Sequence, residues 1–220
     1  ILDIIENKKE LKNEREEIIK IEKIKKQVDK KLFFIKGNSG SGKSIVASIL
    51  SYQISKMNKK VLLIDGNIEK GNIHTIFQVK KYINRTQKIY NNLYFINTNQ
   101  EEIIRKVLTE KYDILIFDNF NNNYILEINH INIYILESNL IEIEKLKNNI
   151  TDNYYNDFFI INKYNKNSID EKIIKNIFEN KNILKIKYSD IYNSLINNFK
   201  IKKDNLYLKK IYKSAIKKMM

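Results

Sequence analysis

Cysteine is absent from all 220 residues. That removes disulfides, zinc–thiolate centres and a cysteine nucleophile at one stroke. With no disulfide to protect, the chain reads as cytoplasmic. No apolar run approaches the ~20 residues needed to cross a bilayer, and no signal-peptide pattern opens the sequence. Histidine is limited to His74 and His130, which lack metal-ligand spacing, and arginine to Arg15, Arg85 and Arg105. Ser39, Ser41 and Ser44 have no neighbouring His/Asp arrangement for nucleophilic catalysis. The first residue is Ile1 rather than a methionine, from which a domain of a longer protein is expected.

Hydrophobic residues make up 43% and charged residues 30% of the chain, a globular balance. The length suits one α/β domain, here residues 32–220, behind a helical connector over residues 1–31. The formal charge of +14 invites a nucleic-acid or anionic-membrane partner. The plainer account is compositional, since Ile, Asn and Lys crowd every part of the chain, as strongly AT-rich coding would produce.

Residues 4–30 mix both charge signs and place Ile18, Ile21, Ile24 and Val28 at helical spacing, which predicts an entry helix. After it, short apolar runs alternate with amphipathic stretches. Strands are predicted at 32–36, 61–65, 93–97, 113–118, 131–137, 158–162 and 183–188. Helices are predicted at 43–57, 72–79, 101–108, 140–150 and 168–179. Continuous apolar strands mean that both sheet faces are covered, and the alternation predicts a doubly wound, mostly parallel α/β sheet. Neither a repeat nor an internal Gly/Pro/Ser linker interrupts the block.

The segment 37-GNSGSGKS-44 fits G-x-x-x-x-G-K-[ST] at every fixed position and lies between a buried strand and an amphipathic helix. Gly37, Asn38, Ser39, Gly40, Ser41 and Gly42 would turn backbone N–H groups inward around phosphate oxygens. Lys43 would supply a point charge to the β/γ-phosphates, and Ser44 a hydroxyl ligand to Mg²⁺. The helix that follows directs its positive end at the same phosphates. The structural alternative is a chance glycine-rich turn. Asp118 and Asp65 close the strands DILIFD and VLLID, where a magnesium site needs carboxylates. Asp118 is the Walker B candidate and Asp65 a further metal-side candidate, each against the alternative of an ordinary turn-opening aspartate.

From VLLIDGNIEKGNIHTIFQV onward the order of segments resembles the MinD/ParA family of dimeric P-loop ATPases, over roughly residues 32–218. YDILIFDNF, INIYILESNLIEIEKLKNNI, FFIINKYN and ILKIKYSDIYNSLINN follow in the family's order. Within the family the chain is most similar to the CpaE/TadZ branch, whose members sit behind an N-terminal regulatory domain and place a pilus or secretion machine at the cell pole. The resemblance implies ATP and Mg²⁺ as ligands and a nucleotide-dependent homodimer. It also exposes two departures. Asn38 stands where the family has a signature lysine, with Lys36 directed elsewhere by the strand. Asn67 stands where the family has a water-activating aspartate, and an amide is a poor base. Weak or absent hydrolysis is expected unless Glu69 substitutes.

Asn162-Lys163-Tyr164-Asn165 approaches a guanine-binding N-K-x-D pattern, but Asn165 offers one acceptor where guanine needs a carboxylate. The resemblance implies ATP over GTP, with Asn162 as the base-contact candidate. Its alternative is a plain loop asparagine. Residues 181–220 hold 11 lysines against Asp190 and Asp204. There Leu208, Ile211, Tyr212, Ala215, Ile216 and Met219 fall at helical spacing, with Tyr188, Tyr192 and Phe199 upstream. This end predicts a core-covering helix, with a peripheral contact to nucleic acid or an anionic inner-membrane face as the alternative. The expected function is a nucleotide-responsive localisation or assembly scaffold. The rivals are an active positioning ATPase and a small-molecule phosphotransferase, the latter disfavoured because no arginine-rich lid is present.

Overall fold

The computed structural model describes residues 30–120, 128–137, 139–149, 157–164, 169–179, 182–187 and 216–219. The entry helix lies outside these residues apart from Lys30, as do Asn165 and the basic stretch at 188–215. Eight strands form one sheet in the order β3-β4-β2-β5-β1-β6-β7-β8. They are β1 (Lys31–Gly37), β2 (Val61–Asp65), β3 (Gln87–Tyr90), β4 (Leu93–Asn97), β5 (Ile114–Asp118), β6 (Ile131–Glu137), β7 (Phe158–Tyr164) and β8 (Ile183–Lys187). The described helices are α1 (Lys43–Ser55), α2 (Ile73–Ile76), α3 (Glu101–Thr109), α4 (Leu140–Asn149) and α5 (Glu171–Phe178), with a further helical stretch at 216–219. The doubly wound α/β expectation holds.

Every neighbouring pair is parallel except β3–β4. Strand β3 was not legible in the sequence. It is four residues long with two polar positions, and it pairs through a bulge between Lys88 and Tyr90. Short, charged and irregular is how a sheet edge avoids pairing with other chains, and that removes the apolar run by which the other strands are recognised. Strand β1 already begins at Lys31, one residue before the expected boundary. Helix α1 ends at Ser55, two residues before the expected boundary, and Met57 beyond it is 44% exposed.

Side-chain alternation divides the strands between two covered faces. Phe33, Ile35, Val61, Leu63, Ile114 and Ile116 join one core with Val46, Ile49, Leu50 and Ile54 of α1. Leu32, Phe34, Leu62, Ile64, Leu115 and Phe117 join another, beneath Ile104, Val107 and Leu108 of α3. Farther along, Tyr134, Leu136, Phe159 and Ile161 pack under Ile143 of α4 and Ile174 and Phe178 of α5. The i, i+3, i+4 spacing in α3 gives it a single buried stripe. Glu101 and Glu102 in its first turn complement the helix dipole. Asp170 caps α5 by accepting from Lys172 N–H at 2.8 Å.

The C-terminal residues support the expected core-covering helix where they are described. Ile216 and Met219 are 1% and 3% exposed and belong to the α1-side core. The Met219 carbonyl accepts from Lys31 Nζ at 3.2 Å. Apolar surface buried there is not available to a lipid interface. No helix among the described residues is long and apolar enough to cross a membrane.

Phe117 is fully buried and stacks on Phe34 at 4.6 Å between centroids, 8° from parallel, with Phe120 at 5.1 Å. Phe117→Ala should cost about 3–5 kcal/mol, read as a lower urea midpoint with an unchanged slope. A loss under ~1 kcal/mol would contradict the packing.

Candidate functional site

Parallel pairing brings the C-terminal ends of the strands into one row. Asp65 of β2 lies in register with Asp118 of β5 on one side and with Asn97 of β4 on the other. Asp118 has Ile35 of β1 as its other partner, so the loop that leaves β1 at Gly37 starts beside it. Glu137 and Asn162 align on β6 and β7. Because β1 is hydrogen-bonded to β5 and β6, the chain reverses its winding here, the position where open α/β sheets form their clefts.

The loop turns into α1 through Gly42, whose φ of 92° is left-handed. A Cβ there would also strike the Asn162 amide, so conformation and space both require glycine. No side chain caps α1 and no acidic residue occupies its first turn. Its leading N–H groups are thus left for an anion. Lys43 Nζ donates to the loop's own carbonyls, 3.0 Å to Gly37 and 2.8 Å to Asn38. Burial lowers its pKa, opposed by the charge of Asp118.

The Ser44 hydroxyl donates to Asp118 Oδ2 at 2.5 Å. Asn119, at a φ of 51°, donates to the same oxygen at 2.9 Å and reaches Ser44 Oγ at 3.4 Å. Asp65 Oδ1 accepts from Asn67 N–H at 3.0 Å. Asp65 Oδ2 and Asp118 Oδ1 are buried without a hydrogen-bond partner among the described residues, and so is Ser41 Oγ. An orphaned buried carboxylate oxygen is costly. Burial pushes the Asp118 carboxyl up to about 7; the Ser44 hydrogen bond opposes this, while the charge of Asp65 adds to it. Burial raises Asp65 to about 6, against donation from the Asn67 and Ile73 N–H groups.

Two orphaned carboxylate oxygens beside a hydroxyl and a row of helix N–H groups fit a hard divalent cation bound with phosphate. Among the described residues no group of three or more His, Asp or Glu side chains could hold a metal alone. Magnesium keeps waters and phosphate oxygens in its shell and needs only one or two protein donors. Ser44 and Asp118 would supply such donors here, with Asp65 beside them in register.

Of the residues singled out from sequence, Ser39, Gly40, Gly42, Lys43, Ser44 and Asn67 line one cleft of about 600 Å³. Its far wall comes from Lys70, Asn72, Thr75 and Ile76 in and before α2, which also carries His74 as expected. Asn38 turns away: its side-chain amide donates to the Glu142 carboxylate and, at 3.4 Å, to the Glu142 carbonyl on α4. Lys36 lies over the Tyr134 ring, 5.8 Å from its centre, as its strand position requires. Glu69 is exposed and is not part of the cleft wall; its carbonyl accepts from Lys81 Nζ at 3.1 Å.

Asn162 is buried beneath the loop. Its Nδ2 donates to the Ser41 carbonyl at 2.8 Å and its Oδ1 accepts from Lys163 N–H at 3.0 Å. Lys163 Nζ then reaches the Gly40 carbonyl at 3.1 Å and Glu137 at 3.3 Å. These two residues therefore brace the loop from the base-side strand. The sequence reading leaves out Asn97 and Asn119, and it names Lys163 only within the guanine-like pattern, not as a brace of the loop. Asn97 Nδ2 donates to the Asp65 and Asn67 carbonyls at 3.2 Å each. A strand-end asparagine is a usable signal, but it is diluted where asparagine is common throughout.

A family description, the CobQ/CobB/MinD/ParA nucleotide binding domain, matches residues 32–201. The chain belongs to that family. The MinD/ParA fold is also found in solved structures of low sequence identity. The septum site-determining protein MinD of Pyrococcus horikoshii, complexed with Mg-ADP, is 17% identical with a TM-score of 0.65, covering 84% of this chain and 95% of that one. A plasmid partition protein of Borrelia burgdorferi bound to AMPPNP is 21% identical with a TM-score of 0.65, covering 86% and 98%. MinD in the MinC:MinD complex of Aquifex aeolicus is 13% identical with a TM-score of 0.67, covering 85% and 96%. No curated protein matches the chain.

The raised carboxyls make this MinD/ParA domain's stability depend on pH. Between the ordinary aspartate pKa and about 7, the folded Asp118 holds a proton that the unfolded chain does not, so stability falls as pH rises through that window. Without magnesium, the protein should be more stable at pH 5 than at pH 8, relative to Asp118→Asn, by about 2–4 kcal/mol. Parallel urea titrations of the two proteins measure this; a difference that grows in the opposite sense contradicts it.

Proposed function

We propose that this domain binds ATP·Mg²⁺ and acts as a nucleotide-responsive localisation or assembly scaffold with weak or absent hydrolysis. Phosphate falls to the loop 37–44, with Lys43 as its cation. The metal falls to Ser44 and Asp118, with Asp65 as its neighbour. When bound, the cation neutralises phosphate charge. The observation that carries the reading is the state of Asn67. It lines the cleft at the expected catalytic position, yet its Oδ1 accepts from Lys70 N–H at 2.8 Å, closing the turn before α2. An amide spent on a turn neither takes a proton from water nor holds one in line.

The resemblance to the CpaE/TadZ branch supports a pilus, secretion or polar-localisation protein as the partner, and a homodimer formed around nucleotide. ATP is favoured over GTP by the resemblance; Asn162, expected as the base contact, is instead buried with its amide engaged by Ser41 and Lys163, and serves as a brace of the loop. A second reading, an active positioning ATPase, draws on the metal-side set Ser44, Asp118 and Asn119, which is joined by hydrogen bonds of 2.5 and 2.9 Å.

Lys43→Ala should abolish measurable Mg·ATP binding in calorimetry, a loss of about 100-fold or more, because the loop's ammonium is removed. Retained affinity would remove the basis of the nucleotide site. Asn67→Asp keeps the acceptor that closes the turn, so it tests chemistry with little disturbance of structure. It should raise steady-state phosphate release at least tenfold over a low wild-type rate. A brisk wild-type rate would favour the active-ATPase reading.

A further inference from the structure

Among the described residues, the cleft beside the phosphate loop is bounded by two lysines and several amide or hydroxyl groups, and no carboxylate side chain is part of its wall. Lys43 belongs to the loop and is the one lysine of segment 37–44. Asn38, which stands where the resembled family carries its signature lysine, is engaged by Glu142 on α4. The second cation, Lys70, enters from the opposite wall, on the connection between β2 and α2.

The backbone under Lys70 is held from several directions. Its N–H donates to Asn67 Oδ1 at 2.8 Å, and Gly71 N–H donates to the Asn67 carbonyl at 2.9 Å. The same carbonyl accepts from Asn97 Nδ2 at 3.2 Å. A Cβ on Gly71 would strike both that carbonyl and Asp65 Oδ2, so the turn is seated directly on the metal-side carboxylate. On the outer flank, Lys81 Nζ holds the Glu69 carbonyl at 3.1 Å. A long cationic side chain on a backbone so anchored is presented to the cleft at small conformational cost, although its head remains in solvent.

We propose that Lys70 is a specificity-determining residue that distinguishes a nucleoside triphosphate from a diphosphate, its ammonium pairing in cis with the terminal phosphate. The inference rests on the nucleotide-binding reading above. The loop, the start of α1 and Lys43 form one side of the cleft. A third phosphate would add charge for which Lys70 is the one further cation among the described residues of the cleft wall. Because Lys70 and Asn67 share one turn, capture of that phosphate also acts on the segment leading into α2, which couples ligand identity to the surface beyond it.

The test is calorimetric binding of AMPPNP and of ADP, each with magnesium, to the whole chain as wild type, Lys70→Gln and Lys70→Arg. Lys70 is exposed and its backbone N–H survives substitution, so both variants should fold. Lys70→Gln should weaken AMPPNP about tenfold and ADP less than twofold, while Lys70→Arg stays close to wild type for both. Equal effects of Lys70→Gln on the two ligands, including no effect on either, would overturn the assignment and leave Lys70 a solvated surface lysine. Should the wild type bind neither ligand, the nucleotide reading itself fails and the Lys70 assignment falls with it.

Discussion

Two aspartates that end neighbouring parallel strands meet in register, and everything around the cleft is arranged about that meeting. Strand β5 lies between β1 and β2, so Asp118 is set against Asp65 on one side and against the start of the phosphate loop on the other. Both carboxylates are buried, both have an oxygen without a hydrogen-bond partner among the described residues, and both pKa values are displaced upward. Without a cation this is an unfavourable arrangement. It persists because each strand is packed on both faces, and a one-residue slip would exchange the two cores.

The surrounding polar network is organised to contain that strain. Ser44 and Asn119 both donate to Asp118 Oδ2, and the Asn67 N–H serves Asp65. On the far side of the loop, Asn162 and Lys163 hold the Ser41 and Gly40 carbonyls. The loop is therefore braced from β7 as well as from β5. A loop braced on both sides would bind an anion without first having to order the chain.

Chemistry at the cleft is correspondingly uneven. The loop and the two aspartates supply groups that the proposed phosphate and metal sites require, whereas the position expected to activate water holds an asparagine whose acceptor closes a turn. Under the proposed function, firm binding with slow turnover would convert a nucleotide into a lasting structural signal, since the bound state would not be discharged by its own chemistry. Asparagine at 38, bound to Glu142 within the same chain, likewise makes the loop a partner of α4.

Seven of the eight strands, their mostly parallel arrangement, the glycine-rich segment after β1 and the aspartates that end β2 and β5 could be read directly from the residues. Each of these is specified by local pattern: apolar continuity, glycine spacing, and an acidic residue at the end of an apolar run. What needed the tertiary structure depends on which distant segments meet. The edge strand β3 has no apolar run to reveal it and exists through pairing with β4. The bracing by Asn162 and Lys163 joins residues more than 120 positions apart, and Asn38 faces α4 because β6 lies beside β1. Lys70 enters the cleft because Asn67 and Gly71 fold the chain back onto Asp65. Side-chain direction in a loop is set by its neighbours in space, and no periodicity along the chain encodes it.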